Sequence, residues 1–207
     1  MVSERIREAR ELRNACAANG VSSDAKRAIR GHIYITLYGM YERAVADCVS
    51  TAIIVANSHA IPLSSLKNGI QLLAMHPDFA SHRAIREERT WERGLQLLRK
   101  LYSTDAAQFE SVFPADGSFM RPSQLRLLWD IFELPGDPWP DPRFMGRIIE
   151  LVEARNDVAH GSEGAGQRGG RVSDRDMDDR ITDIEALCVH FINSFAAQLT
   201  TPAGYVR

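Results

Sequence analysis

The chain has 207 residues, with 25 Lys and Arg against 27 Asp and Glu and a formal net charge of −2. That length suits one substantial hydrophobic core, and a charge so near zero excludes a polycation that grips nucleic acid over its whole surface, so any such contact must be local. No run of roughly 18 apolar residues exists to span a bilayer, and Met1-Val2-Ser3-Glu4-Arg5 lacks the apolar core of a secretion signal, so the expectation is a soluble, cytoplasmic protein with no membrane partner.

Apolar positions recur with helical spacing almost throughout, and alternating runs rich in β-branched residues are absent, so the fold class is all-α. A first helix is predicted from about Ser3 to Ala18, ending at Asn19-Gly20. A second, long helix starts after the N-cap residues Ser22-Ser23 and continues to about Ser58, before Pro62. A short helix around Leu63 to Met75, a break at His76-Pro77 and a charged helix from about His82 to Tyr102 follow.

Another helix opens at Pro122-Ser123 and ends near Leu134-Pro135-Gly136. Pro138, Pro140 and Pro142 stiffen the next connection, and Asp141-Pro142 combines a cap with the proline favoured in a first helical turn. From there a helix runs to His160. Residues 161–172 read as a glycine-rich loop, Ser173-Asp174-Arg175-Asp176 as a capping box with Asp in place of Glu, and a final helix runs to about Leu199. With no internal repeat and no convincing linker, residues 1–207 read as a single helical domain with 62–140 as a variable middle region.

Two helices have unusual faces. In the second, Ile33, Leu37, Tyr41, Ala44, Cys48, Ala52 and Val55 form one core stripe, while Ile35, Val49 and Ile53 form another roughly opposite. Glu42 falls in line with the second stripe, a carboxylate that needs a partner. In the helix that ends at His160, the stripe of Ile148, Leu151 and Val152 carries Arg155 toward the core. Two readings of Arg155 stand: a structural ion pair, with Glu42 as its partner, or a guanidinium lining a cleft for a phosphate, with Glu42 orienting it.

Asn156 and His160 are four apart and share an edge of that helix. His160 also has two readings. A histidine in a last turn followed by glycine is how a plain helix ends, since His favours the negative end of the dipole and Gly takes the left-handed cap. Taken alone the residue reads first as a cap, and second as a group that can move a proton near neutral pH.

Arg155-Asn156-x-x-Ala159-His160-Gly161 resembles the signature of the HEPN superfamily, in which an arginine, four to six residues and a histidine end a helix of a small bundle. The Leu37-Tyr38-Gly39-Met40-Tyr41-Glu42 segment on an early long helix, the variable middle and the final helix after a loop are similar to the bacterial MAE-type and RiboL-PSP-type branches. The resemblance implies a bundle of four core helices with extra helices in the middle, forming a two-fold homodimer in which two motifs face each other. It further implies a metal-independent endoribonuclease without cofactors, of the toxin or phage-defence type, with RNA as substrate and an antitoxin or defence-system component as a partner. His160 would then be the general acid or base, Arg155 would stabilise the charged phosphorane, Asn156 would position the scissile phosphate, and Glu42 would support the set. The alternative is a non-catalytic HEPN module that binds a nucleotide, RNA or a protein. A tyrosine two residues after the histidine, usual in the branch paired with nucleotidyltransferase antitoxins, is replaced here by Ser162, which speaks against control by tyrosine nucleotidylation.

Other signals point to packing or solvation. Gly164-x-Gly166-x-x-Gly169 matches the dinucleotide-binding pattern but follows a helix and has no βαβ context. Arg168 and Arg171 in the same loop are candidates for holding RNA phosphates, against the plain reading of a solvated loop. Arg83, Arg86, Arg89, Arg93, Arg99 and Lys100 interleave with Glu87, Glu88 and Glu92, as on a solvated, ion-paired surface. Cys16, Cys48 and Cys188, odd in number and far apart, read as small core residues, the six histidines show no zinc spacing, and Trp91, Trp129 and Trp139 read as packing anchors.

Overall fold

A computed structural model describes residues 2–83, 87–110 and 120–207. Among these the helices are α1 (Val2–Ala17), α2 (Ser23–Ser58), α3 (Asn68–Ala74), α4 (His76–Arg83), α5 (Thr90–Leu101), α6 (Pro122–Phe132), α7 (Arg143–Ala159), α8 (Ala165–Gly169) and α9 (Asp174–Gln198). No strand occurs among the described residues; β-type pairing there is limited to isolated bridges of Pro62 with Ala106 and Leu66 with Val206. The all-α expectation is met.

Local chemistry explains most boundaries. Ser22 Oγ accepts the Ala25 N–H at the start of α2, and Asp141 Oδ1 accepts the Arg143 N–H at the start of α7. At α9 the capping box forms as read: the Ser173 N–H donates to Asp176 Oδ2 at 3.0 Å and the Asp176 N–H donates to Ser173 Oγ at 3.1 Å. The Ser173 hydroxyl, donating to the same Asp176 Oδ2 at 2.7 Å, and the Ser173 N–H hold the Asp176 carboxyl below the usual range.

The contacts divide the described chain into two compact units, with the divisions falling inside α2, α6 and α9. The first holds residues 2–46, 120–125 and 138–192. Its core is the buried stripe of Met177, Ile181, Ile184, Leu187, Cys188 and Phe191 on α9, with Ile33, Leu37 and Tyr41 of α2 and Ile148, Leu151 and Val152 of α7. Each such side chain contributes roughly 1.5–3 kcal/mol on burial. Helix α1 lies on α9 through Arg13, which donates to the Asp174 carbonyl at 3.1 Å and pairs with Asp178 at 2.9 Å.

In the second unit, residues 47–83, 87–110, 126–137 and 193–207, Trp129 and Phe132 of α6 meet Phe195 of α9 with ring centroids 5.9 and 5.2 Å apart. Tyr205 is buried, and its hydroxyl bonds the carbonyls of Ala52 and Leu199, each at 2.8 Å. Cys48 is half-buried here, and burial, followed by the nearby Asp47 charge, pushes its thiol up to about 11. Cys16 and Cys188 are buried in the first unit, as core cysteines should be.

Five expectations are corrected. The charged helix expected from about His82 begins at Thr90, after a 3-10 turn at Glu87–Arg89. The helix expected from Leu63 is a 3-10 turn, Leu63–Ser65, followed by α3. The break expected at His76-Pro77 falls one residue earlier, at Met75, and His76-Pro77 opens α4, because proline fits a first turn where its missing N–H costs nothing. The glycine-rich loop contains α8, since Gly169 is a packing residue before it is a hinge. Trp91 is no packing anchor: it is 89% exposed, because α5 presents its opposite side to its neighbours. Of the basic residues there, Arg93 and Lys100 pair with Asp78 and Arg89 with Glu92, as a solvated surface requires; Arg86 and the Arg83 side chain lie outside the described residues.

Candidate functional site

Every residue of the Arg155 and His160 segment belongs to the first unit. Ile148, Leu151, Val152 and Ala154 are buried, which fixes the rotation of α7 and leaves Arg155 half-buried at the edge of its apolar stripe. Its guanidinium carbon lies 4.9 Å from the centre of the Tyr38 ring on α2, within reach of a cation–π attraction of about 1–2 kcal/mol in a partly desolvated place. Arg155 Nη1 also donates to Asn156 Oδ1 at 3.0 Å. These contacts leave other N–H donors of the guanidinium unused among the described residues, and a planar fork of that kind suits a phosphate.

Glu42 does not form the direct ion pair with Arg155 that one reading required. Its Oε1 accepts the Tyr38 hydroxyl at 3.5 Å, while the Tyr38 ring faces the Arg155 guanidinium. Tyr38 is the member of the site that sequence reasoning did not assign. The signal was its spacing: Tyr34, Tyr38 and Glu42 recur every four residues on one edge of α2.

His160 ends α7 with its backbone N–H donating to the Asn156 carbonyl at 2.9 Å, and Gly161 follows at φ 71°. Glycine enters that left-handed region without a Cβ penalty. The capping reading of His160 is therefore correct for the backbone, while its imidazole is exposed. The turn after it is tied down by Asp157, whose carbonyl accepts the Glu163 N–H and the Ser162 hydroxyl, each at 3.1 Å.

Arg168 and Arg171 differ. Arg168 is nearly buried beside the Tyr34 ring at 5.5 Å, 3.6 Å from Asp157 and 3.8 Å from the buried Glu163. Arg171 is exposed and reaches Glu163 at 2.7 Å. Glu163 was not singled out in the sequence because a lone acidic residue in a glycine-rich stretch gives no periodic signal. Below them Gly31 and Gly169 let α2 and α8 touch backbone to backbone: a Cβ on Gly169 would sit 1.9 Å from the Arg27 carbonyl oxygen, and one on Gly31 2.0 Å from that of Ala165.

Behind the motif, Glu150 of α7 accepts from Arg180 of α9 and from the Tyr34 hydroxyl, each at 2.7 Å, and from Arg147 at 3.2 Å. Burial pushes the Glu150 carboxyl up, but the bonds from Arg180, Tyr34 and Arg147 outweigh it and hold the group below the usual range. Burial and the bond to Glu150 push the Tyr34 phenol well above its usual value. This network keeps α7 in register against α2 and α9, which sets where Arg155 and His160 emerge.

The family model of RiboL-PSP-HEPN matches residues 2–197. The chain belongs to the RiboL-PSP-HEPN family. No curated protein and no solved structure matches the chain. Membership of a HEPN-type family points to a role connected with nucleotides or RNA. No helix among the described residues is long and apolar enough to cross a membrane.

Proposed function

We propose that this HEPN protein is an endoribonuclease of the toxin or defence-effector type, which cuts RNA without a metal by transferring the phosphate to the adjacent 2′-hydroxyl. The observation that carries the reading is the division of labour at the end of α7: a half-buried Arg155 with unused donors, beside an exposed His160 fixed by its backbone cap. The family match supplies the nucleic-acid context.

In this reaction His160 takes the proton from the 2′-OH, the oxygen attacks phosphorus, and the bond to the 5′-oxygen breaks. A 2′,3′-cyclic phosphate and a 5′-OH result, with a second proton donor supplying the leaving oxygen. The two-proton requirement favours a homodimer in which a second motif stands across a two-fold axis, so that one His160 acts as base and the other as acid. Arg155 neutralises the charge that grows on the phosphorane, and such preorganised donors typically supply about 3–4 kcal/mol of barrier reduction. Asn156 positions the phosphate, Glu42 steadies Arg155 through Tyr38, and Arg171, more exposed than Arg168, is the better placed of the two loop arginines for a flanking phosphate. Other partners fit the same reading: an antitoxin or defence component that covers the cleft.

The test is incubation of purified protein with RNA in the presence of a chelator. Wild type should cleave, and Arg155→Ala and His160→Ala should each lose at least a hundredfold in rate. Retained cleavage in both variants would sink the assignment, and absence of cleavage with retained RNA binding would favour a binding module.

A further inference from the structure

Helix α5 carries an apolar seam that the described residues leave uncovered. Trp91, Leu95, Leu98 and Tyr102 are 89%, 49%, 56% and 81% exposed, and their spacing of four, three and four residues is that of alternating a and d positions in a heptad. The orientation of α5 is fixed from the other side. Leu97 is buried, Asp78 of α4 pairs with Arg93 at 3.3 Å and with Lys100 at 2.5 Å, and Gln71 of α3 donates to the Leu101 carbonyl at 2.9 Å. The seam is therefore held outward by structure and is not a loose face awaiting rotation. Contiguous exposed apolar surface of this kind marks an interaction site.

We propose that α5 is a self-association surface, through which two copies of the chain join in an antiparallel, two-fold helix pair separate from the motif of α7. Three observations select a second copy as the occupant. First, one flank of the seam carries Glu92 and Arg99, seven residues apart. In an antiparallel pair with Trp91 opposite the partner's Tyr102 and Leu95 opposite the partner's Leu98, that flank meets itself, and Glu92 faces the partner's Arg99 twice over. A parallel pair would set these charges against the other flank, which is Gly94 and Leu101.

Second, Gly94 interrupts the middle of α5, where glycine disfavours a helix. Among the described residues nothing lies within 4 Å of the place its Cβ would occupy, so packing against them does not require it. In the antiparallel pair Gly94 lies opposite the partner's Leu101, and a small residue against a large one lets the two helices close. Third, the seam is rimmed on its charged flank by an acidic as well as a basic residue, which suits a complementary protein surface and not an anionic bilayer, where a cationic rim is favoured. A two-fold pairing of identical patches is also the commonest closed assembly.

Light scattering of the full chain, across a dilution series, tests the pairing. Wild type should show a mass that falls by half on Leu95→Glu with Leu98→Glu, with unchanged helical circular dichroism. Glu92→Arg alone should weaken association about tenfold by setting like charges opposite each other, and adding Arg99→Glu should restore it. An unchanged mass in the Leu95→Glu, Leu98→Glu variant, a Glu92→Arg defect that Arg99→Glu does not rescue, or binding to anionic vesicles in place of self-association would each overturn the proposal. RNA cleavage read in the same samples separates the two claims: losing α5 pairing should leave cleavage in place, and an absence of cleavage would leave the mass result standing.

Discussion

The guanidinium of Arg155 sits 4.9 Å from the centre of the Tyr38 ring, and the Tyr38 hydroxyl points to Glu42 at 3.5 Å. A cation at the edge of an apolar stripe is thus held by a ring face and a neighbouring amide, with carboxylate charge kept one residue further away. That arrangement bears on the anion binding proposed for Arg155. A direct ion pair would satisfy the guanidinium and compete with a phosphate, whereas the face of a ring orients it and leaves its donors open.

Tyr38→Phe keeps the ring and should keep RNA cleavage within about threefold of wild type. Tyr38→Leu removes the ring and should lower cleavage about fivefold, the equivalent of a cation–π attraction of about 1 kcal/mol. Single-turnover rates, with thermal melts run beside them because Tyr38 is buried, check the difference. Equal rates in the two variants would remove Tyr38 from the site.

Glu150 makes stability depend on acidity. Its folded carboxyl titrates below the ordinary value of 4.5, so its contribution is fully present above that pH and is lost as pH falls through the lower, folded value. Glu150→Gln should cost about 1–3 kcal/mol at neutral pH, because Arg180 and Arg147 lose a partner in a half-buried place. The variant should also show a shallower fall in Tm than wild type between neutral pH and about pH 3. Melting curves across that range give both results.

Gly31 and Gly169 mark where α2 and α8 touch, and alanine at either one drives a Cβ to within 2.0 Å of a carbonyl oxygen. Backbone cannot yield there as a side chain would. Gly169→Ala should lose about 2–3 kcal/mol, a fall of about 5–10 °C in Tm for a chain of this size. A melt unchanged from wild type would mean that the two helices can part without cost.

Much of the architecture was legible because its signals are local. The Ser173 and Asp176 box, the Asp141 cap and the Ile33, Leu37 and Tyr41 stripe of α2 needed only spacing and side-chain chemistry, and the helix ending at His160 followed from its apolar positions and Gly161. The missed features depend on partners distant in sequence. Glycines at 164, 166, 169 and 170 read as a loop, yet Gly169 is there because α2 comes too close for any other residue. Trp91 reads as an anchor because tryptophan is large and apolar, and only the pairing of Asp78 with Arg93 and Lys100 on the other side of α5 turns it outward. At the site, Arg155, Asn156 and His160 were visible as a motif; the intervening role of Tyr38 was hidden until α2 and α7 were seen side by side.

The chemistry of the cut ends tests the central claim most directly. An RNA oligonucleotide incubated with wild-type protein in chelator, and analysed by mass spectrometry, should yield fragments ending in a 2′,3′-cyclic phosphate and beginning with a 5′-OH. No such products should form with His160→Ala, or from a substrate lacking the 2′-hydroxyl at the cut position. Fragments bearing 5′-phosphates, or cleavage that survives the loss of His160 or of that hydroxyl, would contradict the account.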